Sequence, residues 1–319
     1  MHEIRELSAL FPQQSSASGP ATALALLAHE RILEVKGIDA TRFLQGQLSC
    51  DVATLPSGGS VLGSRCNPKG RMQSSFRLLK LSDEGYLLAM DAKLLESQQA
   101  DLARYAAFFK VQLSDSTDQW VRLGLWGSQM ETALAATDVS QVINIDDTTV
   151  ELWLPAGRGQ EVATALLQHA EPVTLNAWQL QQIRLGIGQV HSQTRESFIP
   201  QMLNLQQLGG VSFQKGCYTG QEIVARMQYL GKLKRRMYRL TSVGIDLPAP
   251  GTPIMNSAND QAVGEVVTAA NADTGMELLA VLQNEAAQLP TLHIADSNEP
   301  LTLSTLPYED QLAADAASE

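Results

Sequence analysis

At 319 residues the chain is too long for one small core and suits two or three packed domains. Its 44% hydrophobic and 18% charged residues exclude a fibre or a disordered chain. A formal net charge of −11 repels phosphate backbones at long range, which favours a small-molecule ligand or a protein partner over direct nucleic-acid binding.

Residues 1–20, rich in Ser, Pro and Gln, are read as a flexible N-terminus. The apolar run at 21–28 lacks a preceding cluster of positive charge and is far short of the roughly 20 residues of a membrane span, so a cytoplasmic protein is expected. It is read as a loop leading into a short helix or strand. RILEVKG (31–37) alternates like a strand, and Asp39 is placed to cap a short helix that stops at Gly46. VLGSRC (61–66), the turn NPKG and RMQSSFRLLKL (71–81) predict a β-hairpin, followed by a strand at 85–90. Leu94, Leu95, Gln98, Leu102, Tyr105 and Phe109 are spaced as the apolar face of a helix.

A second unit follows the same plan. WVRLGLWG predicts a strand, Ser128 and Glu131 form a capping-box pattern, TVELWLP (149–155) predicts another strand, and a helix runs to about His169. In NAWQLQQIRLG (176–186), Ala177, Leu180 and Ile183 define the expected core stripe, with Trp178 and Leu185 on a different face. After residue 234, short β-like runs separated by Gly, Pro and Asn predict a small barrel. The acidic tail EDQLAADAASE has little to bury and is expected to be disordered. The fold class is thus α+β: a flexible 1–20, one α+β unit over 21–114, a second over 115–234, a β-barrel over 235–308, and the tail 309–319. No sequence repeat relates the two units.

Cys50, Cys66 and Cys217 are an odd, widely spaced set without a CxxC pair, which argues against a disulfide framework or a self-contained metal or iron–sulfur site. The histidines (His2, His29, His169, His191, His293) show no metal-ligand spacing, and no metal site is expected. His191 is assigned to the surface. Thr219 and Glu222 fit the capping box T-x-x-E, so a helix should begin at Gly220 with Cys217 on the approach to its N-terminus. There the helix dipole favours a thiolate, and Lys215 adds positive charge. Cys217 is therefore either a reactive thiol or a small residue packing the turn. Trp178 either stacks on a flat heteroaromatic ring or packs against a neighbouring domain. Lys69 and Arg71 either contact an anionic group or are solvated. The run GKLKRRMYR (231–239) gathers Lys232, Lys234, Arg235, Arg236 and Arg239, as a solvated face or as an anion-binding patch.

The string KGCYTGQE (Lys215, Gly216, Cys217, Tyr218, Thr219, Gly220, Gln221, Glu222), preceded by FIPQ and NLQ, resembles the signature of the YgfZ family of folate-binding proteins, relatives of the glycine-cleavage T-protein. FLQGQLSCDV (43–52), RCNPKGRM (65–72) and RYAAFFKV (104–111) resemble the family's segments in order, so the likeness covers most of residues 30–240. It implies a T-protein-like ring of three domains around a central folate site. It also implies that Cys217 is the functional thiol, that Trp178 contacts folate, and that Lys232, Lys234, Arg235 and Arg236 offer contacts to the folate's anionic tail. Two departures stand out: Gly186 replaces a pterin-contacting glutamate of T-protein relatives, and Glu30 falls near a folate-contacting aromatic of close relatives.

In the family resemblance, aminomethyl transfer depends on an aspartate in the hairpin strand. Between Gly70 and Leu81 this chain has no carboxylate, so that activity is not expected. The resemblance implies a tetrahydrofolate-binding accessory protein that supports maturation or repair of iron–sulfur enzymes, and thereby tRNA modification. Its partners would be folate and iron–sulfur client or assembly proteins, with no membrane and no direct nucleic acid. The alternatives are a folate-dependent one-carbon transferase and a direct tRNA-binding protein.

Overall fold

The computed structural model describes residues 6–12, 20–295, 297 and 299–318. Three sheets organise it. In the first, the predicted hairpin forms between Ser60–Cys66 and Met72–Ser82, which continues into Gly85–Asp91, Glu30–Lys36 and Gln112–Asp115, all antiparallel. The inward side chains Leu33, Val35, Phe76, Leu78, Tyr86 and Leu88 meet the helices Ala40–Gln45 and Leu95–Ala106 in one core. Phe109, one turn past the second helix, tilts against Phe43 at 5.4 Å.

The second sheet has the order Glu171–Val173, Thr22–Leu26, Trp120–Gly127, Thr149–Pro155, Val142–Asp146. Its opening strand comes from the apolar run at 21–28, so the chain starts in the second sheet, crosses to build the first, and returns. All five residues of Thr22–Leu26 are buried, which explains a continuous apolar run where a half-exposed strand would alternate. Leu7 and Phe11 are buried in the same core. This part of the expected flexible N-terminus is therefore anchored, each side chain contributing about 1.5–3 kcal/mol of burial. Residues 1–5 and 13–19 lie outside the described residues.

The third sheet is six-stranded and antiparallel, in the order Leu292–Ile294, Pro253–Asn256, Gln261–Ala272, Gly275–Gln283, Arg235–Ser242, Thr302–Ser304. Its first and last strands are not paired to each other, which makes it a half-barrel. The α+β architecture with a C-terminal β-unit is the expected one. The acidic tail, however, is helical over Glu309–Ser318, because Leu312 finds a buried seat and Glu309 pairs with Arg236 at 2.9 Å.

Three expected helix caps do not form. The Asp39 carboxylate instead accepts the Lys110 backbone N–H at 2.9 Å. The helix Met130–Ala135 begins after Gln129, without a side-chain cap from Ser128. In the helix Gln221–Tyr229, Gly220 takes the N-cap position in the left-handed conformation (φ 88°), which displaces Thr219 from it.

Candidate functional site

A cleft with a cavity volume of about 70 Å³ gathers residues from both α+β sheets, the helix Leu175–Arg184 and the half-barrel. Its polar lining starts from lone charges in apolar strands. Arg122 and Glu151 are each buried among hydrophobic neighbours, where an unpaired charge costs several kcal/mol. Arg122 therefore donates to Glu151 Oε2 at 2.7 Å and to Glu30, while Arg77 Nε donates to Glu151 Oε1 at 2.8 Å. Gln189 gives Glu30 a second donor.

Burial alone would raise the Glu30 carboxyl pKa, but the Arg122 guanidinium outweighs it and holds the group at about 2. The same opposition, with Arg77 and Arg122 prevailing over burial, keeps Glu151 below its ordinary value. Arg122 also lies over the Trp153 ring at 4.6 Å. The result is a dry, fixed row of alternating charge.

The apolar lining centres on Trp178, which is only 2% exposed. Its ring tilts against Trp126 at 5.6 Å and packs flush on Gly124, where a Cβ would stand 2.4 Å from it. The ring thus needs glycine at 124.

His191 joins from the loop after the helix, its Nδ1 2.9 Å from Asp91 Oδ2. Burial would raise the Asp91 pKa, and the hydrogen bond from His191 more than reverses this. Four buried atoms of the lining have no hydrogen-bond partner among the described residues: His29 Nδ1, Arg122 Nε, Gln182 Nε2 and His191 Nε2. Polar atoms left so are the usual mark of a place where a ligand or water binds. Burial, the largest influence, lowers the His29 pKa.

A second constellation surrounds the 215–222 segment. Lys215 is buried, and its Nζ donates to Leu48 O at 2.8 Å and Cys50 O at 2.7 Å, over the face of Tyr218. Burial lowers its pKa to about 8. Ser49 Oγ donates to Gly210 O, and the Thr219 N–H reaches Gly46 O, so the segment is stitched onto residues 46–50. Gly220 and Gly70 let it lie against the 67–70 turn: a Cβ on Gly220 would stand 2.5 Å from Asn67 O, and one on Gly70 2.9 Å from Ile223 Cβ. Gln201 Nε2 caps the Val224 carbonyl at 2.7 Å, and Asn204 Nδ2 holds the Met237 carbonyl at 3.0 Å. Cys217 is exposed at the rim of an open depression with Ile38, Thr41, Arg42 and Asp83.

Residues 21–151 match the GCVT N-terminal domain. The tRNA-modifying protein YgfZ of Photobacterium profundum is 33% identical over 306 residues, covering 91% of this chain and 92% of that protein. That of Klebsiella pneumoniae is 31% identical over 319 residues, covering 93% and 97%. The chain belongs to the YgfZ family. Among solved structures, glycine cleavage system aminomethyltransferase T from Bartonella henselae is similar at 18% identity with a TM-score of 0.74, over 96% of this chain and 97% of that one. At that identity the likeness establishes the T-protein fold alone.

Of the residues that the YgfZ resemblance nominates, the structure brings Trp178 into the central cleft and leaves Cys217 out of its lining. Trp178 is not turned off the core, as the helix periodicity suggests. It and Ile183 are the most buried residues of the helix, while Ala177 and Leu180 are half-buried. The helix is covered on two sides, Trp178 against the second sheet and Ile183 against the half-barrel core. Cys217 does not pack the turn; Tyr218 and Lys215 do. The Lys215 ammonium engages Leu48 and Cys50, not Cys217. Gly216, Gln221 and Glu222 lie at the surface or partly so, outside the cleft lining.

The basic run is also elsewhere in the YgfZ chain. Lys232 and Arg236 line a separate groove beside the C-terminal helix, Arg236 pairs with Glu309, and Arg239 pairs with Glu277 at 2.7 Å. Lys234 and Arg235 are exposed. Arg71 is part-buried and donates to Ser197 O, while Lys69 is exposed.

Gly186 is explained by its left-handed φ of 68° and by Tyr308, which would meet a Cβ at 2.5 Å. Glu30 anchors the charged row. Arg77, Arg122, Glu151 and His191 are lining residues that the sequence reading missed. A single charge inside an apolar strand was the available signal for Arg122 and Glu151; His191, in a loop, offered none. Among the described residues no group of three or more His, Cys, Asp or Glu side chains is arranged to hold a metal ion, and no helix is long and apolar enough to cross a membrane.

Proposed function

We propose that the chain is a tetrahydrofolate-binding accessory protein, with the pteridine ring held in the central cleft against Trp178. The observation that carries this reading is the joint presence of a buried tryptophan and unpartnered polar atoms in one cleft. A pteridine fits that lining: Trp178 offers a flat apolar surface, and Arg122 Nε and Gln182 Nε2 are donors suited to its carbonyl oxygen and ring nitrogens. Bound folate would supply a one-carbon carrier. The residues of this chain would bind and orient it and exclude water.

The relatives named as tRNA-modifying proteins support a role in tRNA modification. We assign that role to support of iron–sulfur enzyme maturation or repair, carried by Cys217. An exposed thiol outside the folate cleft suits contact with a client protein. Calorimetric titration with tetrahydrofolate tests the division. Wild type and Cys217→Ala should bind alike, and Trp178→Ala should bind at least roughly tenfold more weakly, from lost stacking. Absence of binding by the wild type overturns the folate reading. Equal weakening by Cys217→Ala overturns the separation of cleft and thiol.

A further inference from the structure

His191 is the one lining histidine held by a carboxylate. With Asp91 Oδ2 2.9 Å from Nδ1, the ring N–H at Nδ1 donates to the carboxylate, and that tautomer presents Nε2 as a lone-pair acceptor. The backbone fixes the ring's base as well: the His191 N–H donates to Thr194 Oγ1 at 3.1 Å, and the Thr194 N–H returns to His191 O at 3.0 Å. Nε2 is buried in the cleft lining and has no partner within the described chain.

The other charged and titratable groups that face this region are His29 and Glu30 at the start of their strand, Arg77, Arg122 and Glu151 from the neighbouring strands, and Asp91 itself. Glu30, Arg122, Glu151 and Arg77 satisfy one another. The remaining open positions of known polarity, Arg122 Nε and Gln182 Nε2, are donors. A ligand that only accepts hydrogen bonds would leave Nε2 facing another lone pair.

We propose that His191, oriented by Asp91, is a specificity-determining residue whose Nε2 accepts a hydrogen bond from the N5–H or N8–H of the ligand's ring. It thereby favours a tetrahydropteridine, which carries hydrogens on N5 and N8, over the fully oxidised ring, which carries none there. This rests on the reading of the cleft as a folate site and assigns it a selectivity for the reduced ring. An unpaired buried acceptor penalises binding by at least roughly tenfold.

The test is calorimetric titration of the full chain with tetrahydrofolate and with folic acid under anaerobic conditions. At pH 7.5 the wild type should prefer tetrahydrofolate at least roughly tenfold. His191→Phe should lose this preference through weaker tetrahydrofolate binding alone, and His191→Gln, whose Oε1 keeps an acceptor, should retain much of it. If the wild type and Trp178→Ala behave as the folate reading requires but His191→Phe keeps the wild-type ratio, this inference alone falls. If the wild type binds neither compound, the folate reading and the inference fall together. Should His191→Phe not fold, Asp91→Ala, which frees the ring, decides: a ratio unchanged from the wild type overturns the assignment.

Discussion

The charged row in the cleft makes a demand on stability that one substitution exposes. Arg122→Met removes the cation between Glu30 and Glu151 and keeps much of the side-chain volume. In the wild type the Glu30 carboxyl is lowered from 4.5 to about 2, which at 1.36 kcal/mol per pH unit is worth about 3 kcal/mol at neutral pH. Removing one partner of a buried ion pair costs about 3–5 kcal/mol, because the remaining charge stays buried. Against a total stability of about 5–15 kcal/mol this is a large loss, on the order of 10 °C in Tm.

The sign of the pH dependence follows from the same groups. A depressed carboxylate stabilises the fold above its unfolded pKa of 4.5, and that stabilisation is lost as pH falls toward 2. Between pH 8 and pH 5 the wild type therefore keeps it almost whole. In Arg122→Met, burial without the cation raises the Glu30 carboxyl, while Arg77 still pairs with Glu151, so the folded variant takes up a proton at Glu30 and gains stability as pH falls over that range. Thermal unfolding followed by circular dichroism should show a Tm deficit that is largest at pH 8 and narrower at pH 5. A deficit that is the same at both values, or below about 1 kcal/mol at pH 8, would refute the buried network.

Other outcomes follow from single contacts. Gly124→Ala should destabilise the protein by roughly 1–3 kcal/mol through overpacking against Trp178 and weaken tetrahydrofolate binding with it; unchanged Tm and affinity would show that the ring has room to move. In the native protein a thiol reagent should label Cys217 rapidly and leave Cys50 and Cys66 unreacted, since burial pushes both of those thiols up to about 12; mass spectrometry of the labelled peptides reads this, with all three reacting in denaturant. Leu312→Ala should lower stability by about 2–3 kcal/mol in urea unfolding, because Leu312 seats the last helix against the core; no change would return the tail to its expected disordered state.

Much of the fold was legible in local pattern. The hairpin around Asn67–Gly70 and the strands at 85–91, 120–127 and 149–155 carry clear turn and strand signals, and the short Gly- and Pro-bounded runs after residue 234 give the half-barrel. What escaped depends on tertiary partners. Thr22–Leu26 reads as an ambiguous apolar run because both its faces are covered, and the chain end is helical because Leu312 is seated in the core and Glu309 pairs with Arg236. The capping pattern at Thr219 fails because Gly220 must approach Asn67 too closely for any side chain. At the site, the helix spacing put Trp178 off the core because periodicity assumes one buried face, and this helix has two. The Arg77–Glu151–Arg122–Glu30 row comes from four strands distant in sequence, so its pairing shows only once the sheets are assembled. Cys217 was singled out by its motif, yet its separation from the cleft is visible only in three dimensions.

The most direct measurement of the central claim is the location of tetrahydrofolate in a crystal of the complex. The account predicts the pteridine ring against Trp178, with its polar edge at the Arg122 and Gln182 donors and His191 within hydrogen-bond distance. A ring bound in the groove beside Lys232 and Arg236, or at the Cys217 depression with the central cleft empty, would contradict it.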